Sequence, residues 1–266
     1  MIFVMKEMII SLLNMTAWRM DAPELFGSFH ITASLAAVAA AVLLAVVVSK
    51  RKNSATVRVL AVIGWALLLL EIWKQLFLFF IVNNGAYDWW YFPFQLCSVP
   101  MYLCILLPSA GKRTRRTYLT FLGGYTFVSA VATLIFPEDI LRSYTALTVH
   151  GFVWHGLLLF ISLTVLLTGS ADISARGLMR AFGLFAILCI IAILINMFAE
   201  PIMQTTSGLP HSWAAMFYLN PYHISPQPLV GSMQKTVGIP AGLAVYALSI
   251  SVISSVTCRL LSRKSD

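Results

Sequence analysis

Cys97 lies in the stretch YFPFQLCSVPMYLC, residues 91–104, with prolines at 93 and 100 and a glutamine at 95. A thiol becomes a nucleophile when it ionises, which a nearby base or positive charge promotes. Pro93 suits the first turn of a helix, where a missing N–H costs nothing. Cys97 then falls just beyond that turn, where the helix dipole favours thiolate and apolar burial opposes it. Pro100 removes the N–H that would bond the Leu96 carbonyl, so a kink and a free acceptor are expected beside the thiol. The competing role is packing, because cysteine is among the most buried residue types. Cys104, Cys189 and Cys258 fit that role. Cys97 and Cys104 stand two turns apart on one helix, too far to bridge. No spacing of Cys and His suits a metal ion, and no cofactor is expected.

A base for such a thiol is sought in VHGFVWHGLL, residues 149–158, which carries His150 and His155. Five residues turn a helix by about 140°, so the two cannot face one point. His155 is the deeper of the two and the candidate base. His150 is expected at the membrane interface. Glu71 and Lys74 are one turn apart and can pair on one face. With Gln75 they either fix helix packing or support a substrate site, since ionisable groups inside a membrane are costly. Gln95, Asn196 and Tyr218 complete the candidate supporting set.

The elements that must position these residues are membrane spans. Of 266 residues 59% are hydrophobic and only 11% charged, whereas a soluble domain carries about 25% charged residues. Apolar stretches of about 20 residues recur, each long enough to cross ~30 Å of hydrocarbon. The ~10-residue alternating segments of a membrane β-barrel do not appear. The fold class is therefore all-α, a polytopic transmembrane helix bundle. Seven spans are expected, near 28–49, 57–82, 92–109, 117–137, 145–168, 178–199 and 239–259.

Charge sets the orientation. Lys50, Arg51, Lys52, Arg58, Lys112, Arg113, Arg115, Arg116, Arg176, Arg180, Arg259, Arg263 and Lys264 all fall on one side of that arrangement. The positive-inside rule places that side, with the C-terminus, in the cytoplasm and the N-terminus outside. The net charge of +8 is thus a topology signal in a multi-pass protein of the cell membrane. It argues for anionic lipid nearby and not for nucleic acid. Residues 1–27 lack the features of a signal peptide and are expected to form a short interfacial helix. Residues 28–266 form a single transmembrane domain.

The connection at 200–238 holds five prolines and several aromatic residues, but only Glu200 and Lys235 are charged. It either lies on the membrane surface or caps a chamber by partly re-entering. By depth, Glu71, Lys74, Cys97 and His155 share the outer half of the membrane, with Asn196 and Glu200 under the long loop. The inner halves are bland.

Three segments carry a resemblance: FPFQLCSVPMYLC (92–104), HGFVWHGLLLF (150–160) and AMFYLNPYHISPQPL (215–229). In order and spacing the chain resembles the YwaF family of bacterial integral membrane proteins, from about residue 55 onward. That family is similar to a eukaryotic polytopic protein that moves a fatty acyl chain between phospholipids through a cysteine thioester. Gln95 stands where related sequences often have histidine, and Ala215 where others often show asparagine. The resemblance implies an acyl-carrying role for Cys97, His155 as base, and a phospholipid or acyl chain as substrate. The alternative is a non-enzymatic transporter or lipid-binding protein using the same outer chamber. An enzyme needs Cys97 and His155 close together, whereas a transporter needs polar residues continuing inward.

Overall fold

The computed structural model describes residues 2–50 and 53–262, so Arg51, Lys52, Arg263 and Lys264 of the basic set lie outside the described residues. Among the described residues the chain is all-helical, with nine α-helices and no strand. They are α1 (Ile2–Asn14), α2 (Ser28–Ser49), α3 (Asn53–Phe77), α4 (Val99–Leu106), α5 (Lys112–Ile135), α6 (Thr145–Leu167), α7 (Ala175–Thr205), α8 (Pro228–Val237) and α9 (Ile239–Leu261). A π-helical turn, Leu78–Val82, extends α3. Six of these helices are long and apolar enough to cross a membrane.

Large apolar side chains point outward along the long helices, among them Leu43 on α2, Leu69 on α3, Leu194 on α7 and Val252 on α9. An apolar belt of that extent is stable against lipid and not against water. The interior is built around α6, which packs on α2, α5 and α3. Lipid gives no hydrophobic drive to helix association, so close approach of small residues matters. A Cβ on Gly64 of α3 would sit 2.8 Å from the Cys104 Cβ on α4, and one on Gly124 of α5 would sit 2.8 Å from the Ser254 carbonyl on α9. Cys104, Cys189 and Cys258 are buried, as packing residues should be.

The segment expected to be a span at 92–109 is different. Only Val99–Leu106 is α-helical, with Pro100 in its first turn. Pro93 lies outside the helix, and Pro100 starts it without kinking it. The physical reason lies in the preceding residues, whose backbone groups are claimed by side chains. Asp88 caps a short 3₁₀ turn, Trp89–Tyr91, through the Trp90 N–H. Gln75 donates to the Tyr91 carbonyl, and Tyr102 to that of Pro93. α4 is only about 12 Å long, and the backbone ahead of it is irregular and satisfied from within the protein.

Residues 206–227 are likewise irregular and folded inward. Ala214, Ala215, Met216, Phe217, Leu219 and Asn220 are buried. The N-terminal segment is strapped to the same end of the bundle: Thr145 donates to the Trp18 carbonyl and Met20 to that of Ser143. This is the cap end of the bundle, and the end carrying Lys112 and Arg180 is the basic end.

Candidate functional site

Cys97 sits two residues ahead of α4, with Ser98 at the N-cap. Alone among the four cysteines it is only partly buried. Its own carbonyl accepts a 3.1 Å hydrogen bond from the Trp154 indole N–H of α6. That bond ties the irregular segment to the helix that also carries His155.

His155 is 5% exposed. Its Nδ1 lies 2.8 Å from the Gly151 carbonyl. A carbonyl only accepts, so Nδ1 carries the hydrogen and the neutral ring keeps its lone pair on Nε2. That Nε2 is buried and has no hydrogen-bond partner. The imidazole is thus fixed in the tautomer a base requires, although it does not hydrogen-bond the Cys97 thiol in this structure. His150 departs from its expected interfacial role. It is buried between α3 and α6, donates to the Leu70 carbonyl and stacks between Trp73 and Trp154.

Glu71 and Lys74 pair as their spacing predicts, at 2.9 Å. Gln75 adds a 2.7 Å bond to the same carboxylate oxygen, Oε1. The other oxygen, Oε2, is buried without a partner. The Lys74 ammonium also lies 5.9 Å from the centre of the Trp154 ring, within cation–π range. The same Trp154 donates to the Cys97 carbonyl, so the pair stands next to the segment that carries the thiol.

Gln95, Asn196 and Tyr218 do something the sequence did not suggest: they hold one turn of the cap. Asn196 clamps Met216, accepting from its N–H at 2.7 Å and donating to its carbonyl at 3.1 Å. Gln95 accepts from the Phe217 N–H at 2.9 Å. The Tyr218 hydroxyl bonds the Asp139 carboxylate. Phe217 and Tyr218 both have positive φ, 55° and 57°, a conformation rare for bulky residues. Asn196 is nine residues from the end of α7, about 13 Å along the helix, so the turn reaches well below the cap end.

Two carboxylate–imidazole pairs were missed. His211 Nδ1 lies 2.8 Å from Asp88 Oδ2, and His223 Nε2 lies 2.7 Å from Glu200 Oε1. Each ring stacks on a tryptophan, His211 on Trp90 and His223 on Trp213, and those tryptophans touch each other. Both histidines belong to the cap, and both carboxylates are buried in the scaffold. Only the strong apolar bias of the loop hinted that its few polar groups would be spoken for. His30 was missed too; it is buried and bonds the Leu134 carbonyl at 3.0 Å, joining α2 to α5. Among the described residues no group of three or more His, Cys, Asp or Glu could hold a metal ion.

A bundle with six membrane-length helices and irregular buried segments at one end defines a multi-pass integral membrane protein. The chain belongs to the TMEM164 family, which it matches over residues 25–261. No curated protein and no solved structure matches it.

Proposed function

We propose that this membrane protein carries an acyl chain as a thioester on Cys97 and passes it between membrane lipids. One observation carries the reading: the one partly exposed cysteine of the four is fixed by Trp154, next in sequence to a buried histidine whose free Nε2 is an acceptor. The resemblance to the YwaF family and its acyl-transferring relative supports the same role.

In the first half-reaction the Cys97 thiol gives its proton to His155 Nε2, and the thiolate attacks the carbonyl of a lipid ester. The ester C–O bond breaks, and the departing alkoxide takes the proton from His155. In the second half an acceptor hydroxyl loses its proton to His155 and attacks the thioester. The C–S bond breaks, and the thiolate regains the proton. Glu71, Lys74 and Gln75 act as a neutral support beside the thiol. Gln95, Asn196 and Tyr218 shape the wall contributed by the cap, which by the charge pattern lies on the extracytoplasmic side of the cell membrane. A transport role is less well supported, because the buried polar residues toward the basic end are mainly hydroxyls such as Thr120, Ser162 and Ser254.

The test is acyl transfer from a long-chain phospholipid by purified protein in lipid nanodiscs. Cys97→Ser abolishes transfer, and His155→Ala slows it by roughly 100-fold, the scale of a lost general base. Transfer unaffected by Cys97→Ser overturns the proposal.

A further inference from the structure

Phe217 is buried in the same apolar cluster against which Cys97 packs. Its ring is 1% exposed. It is held face to face between Phe94, at 5.7 Å and 10°, and Phe185 of α7, at 6.2 Å and 13°. Phe94 is three residues from Cys97. Gln95, two residues from Cys97, accepts from the Phe217 N–H at 2.9 Å, which seats the turn against the segment that carries the thiol. So the space between Phe94, three residues from the thiol, and Phe185 in the middle of α7 is filled by the protein's own aromatic side chain.

The way this turn is held is unusual. Two successive bulky residues sit in the left-handed region, where a side chain other than glycine is strained. Strain of this kind persists only when the surroundings over-determine it. Here they do: Asn196 makes two bonds to Met216, Gln95 one to Phe217, and Asp139 accepts from Tyr218. These anchors come from three separate parts of the chain. A strained turn has a conformational incentive to leave once its anchors let go.

We propose that the turn at 215–218 is a plug that closes the acyl site and withdraws when a chain enters between Phe94 and Phe185. In the closed form the three side-chain clamps outweigh the backbone strain. In the open form residues 217 and 218 relax to negative φ, and an alkyl chain takes over the contacts of the Phe217 ring. The inference rests on the reading of Cys97 as the acyl-carrying residue, and it concerns how that site is regulated.

The test uses the full chain in nanodiscs and an N-alkyl maleimide with a sixteen-carbon tail, which reports access to Cys97 without requiring catalysis. Labelling is read at residue 97 by peptide mass spectrometry. Asn196→Ala weakens the clamp and Phe217→Ala removes the ring, and each raises the labelling rate on the order of tenfold. A rate unchanged or lowered in both variants, with the fold intact by circular dichroism, overturns the plug. A second measurement needs no variant: hydrogen exchange at the Met216 and Phe217 amides rises when palmitate saturates the wild-type protein. Exchange that stays the same or slows under saturation also overturns it. If maleimide access rises as expected while no acyl adduct ever forms on Cys97, the plug stands and the acyl-transfer reading falls.

Discussion

The Trp154 indole N–H donates to the Cys97 carbonyl across 3.1 Å, joining residues 57 positions apart. This bond sets the thiol segment against α6 beside His155, and the Lys74 ammonium rests near the same indole. Removing the N–H while keeping an aromatic ring isolates its effect. Trp154→Phe leaves a buried acceptor unsatisfied, at a cost of about 1–3 kcal/mol. A lower thermal midpoint in nanodiscs and slower acylation of Cys97 are the expected outcomes. Unchanged acylation would show that the bond does not position the thiol.

Glu71 is buried and Lys74 half-buried, so deleting the lysine alone, which strands the buried carboxylate, should cost more than deleting both. Lys74→Met alone leaves Glu71 uncompensated and lowers the folded yield strongly. The double variant Glu71→Leu with Lys74→Met recovers part of that loss. Fluorescence-detected size exclusion compares the three. Equal yields for the single and double variants would mean that the pair contributes no coupling.

How far was this arrangement legible? The pairing of Glu71 with Lys74 followed from helical spacing alone, since both lie on one regular helix. The helical class followed from apolar run length. The thiol segment did not: Pro93 was expected to start the helix and Pro100 to kink it, whereas Pro100 lies in the first turn and Gln75, Asp88 and Tyr102 bond the backbone ahead of α4. The dyad of Asp88 with His211 spans 123 positions, and no local periodicity reports a contact of that range. Gln95, Asn196 and Tyr218 were recognisable as polar residues in apolar surroundings, but their joint hold on one strained turn exists only in three dimensions.

Orientation follows from the basic residues. An impermeant thiol reagent applied to intact cells should reach single cysteines placed at 85 and 205, and should reach one placed at 112 only after permeabilisation. Labelling of position 112 in intact cells would reverse the topology and put the cap in the cytoplasm.

At the basic end, Asp172 accepts from the Ser174 hydroxyl and N–H and pairs with Arg180. The Ser174 hydrogen bond is the largest influence and holds the Asp172 carboxyl below its ordinary range, with help from Arg180. A carboxylate depressed on folding contributes stability at pH above its unfolded value, and that stability is lost as pH falls through its folded value. Asp172→Asn therefore lowers the thermal midpoint modestly at pH 7 and makes no difference at strongly acid pH. The same deficit at both pH values would assign the effect to packing instead.

The most direct measurement is which cysteine becomes acylated. Purified protein is incubated with long-chain phospholipid or acyl-CoA, treated with or without hydroxylamine, and mapped by peptide mass spectrometry. The account predicts a hydroxylamine-sensitive acyl adduct on Cys97, lost in Cys97→Ser, slowed in His155→Ala and retained in Cys104→Ser. Equal acylation of Cys97 and Cys104, or an adduct whose rate does not depend on His155, would contradict it.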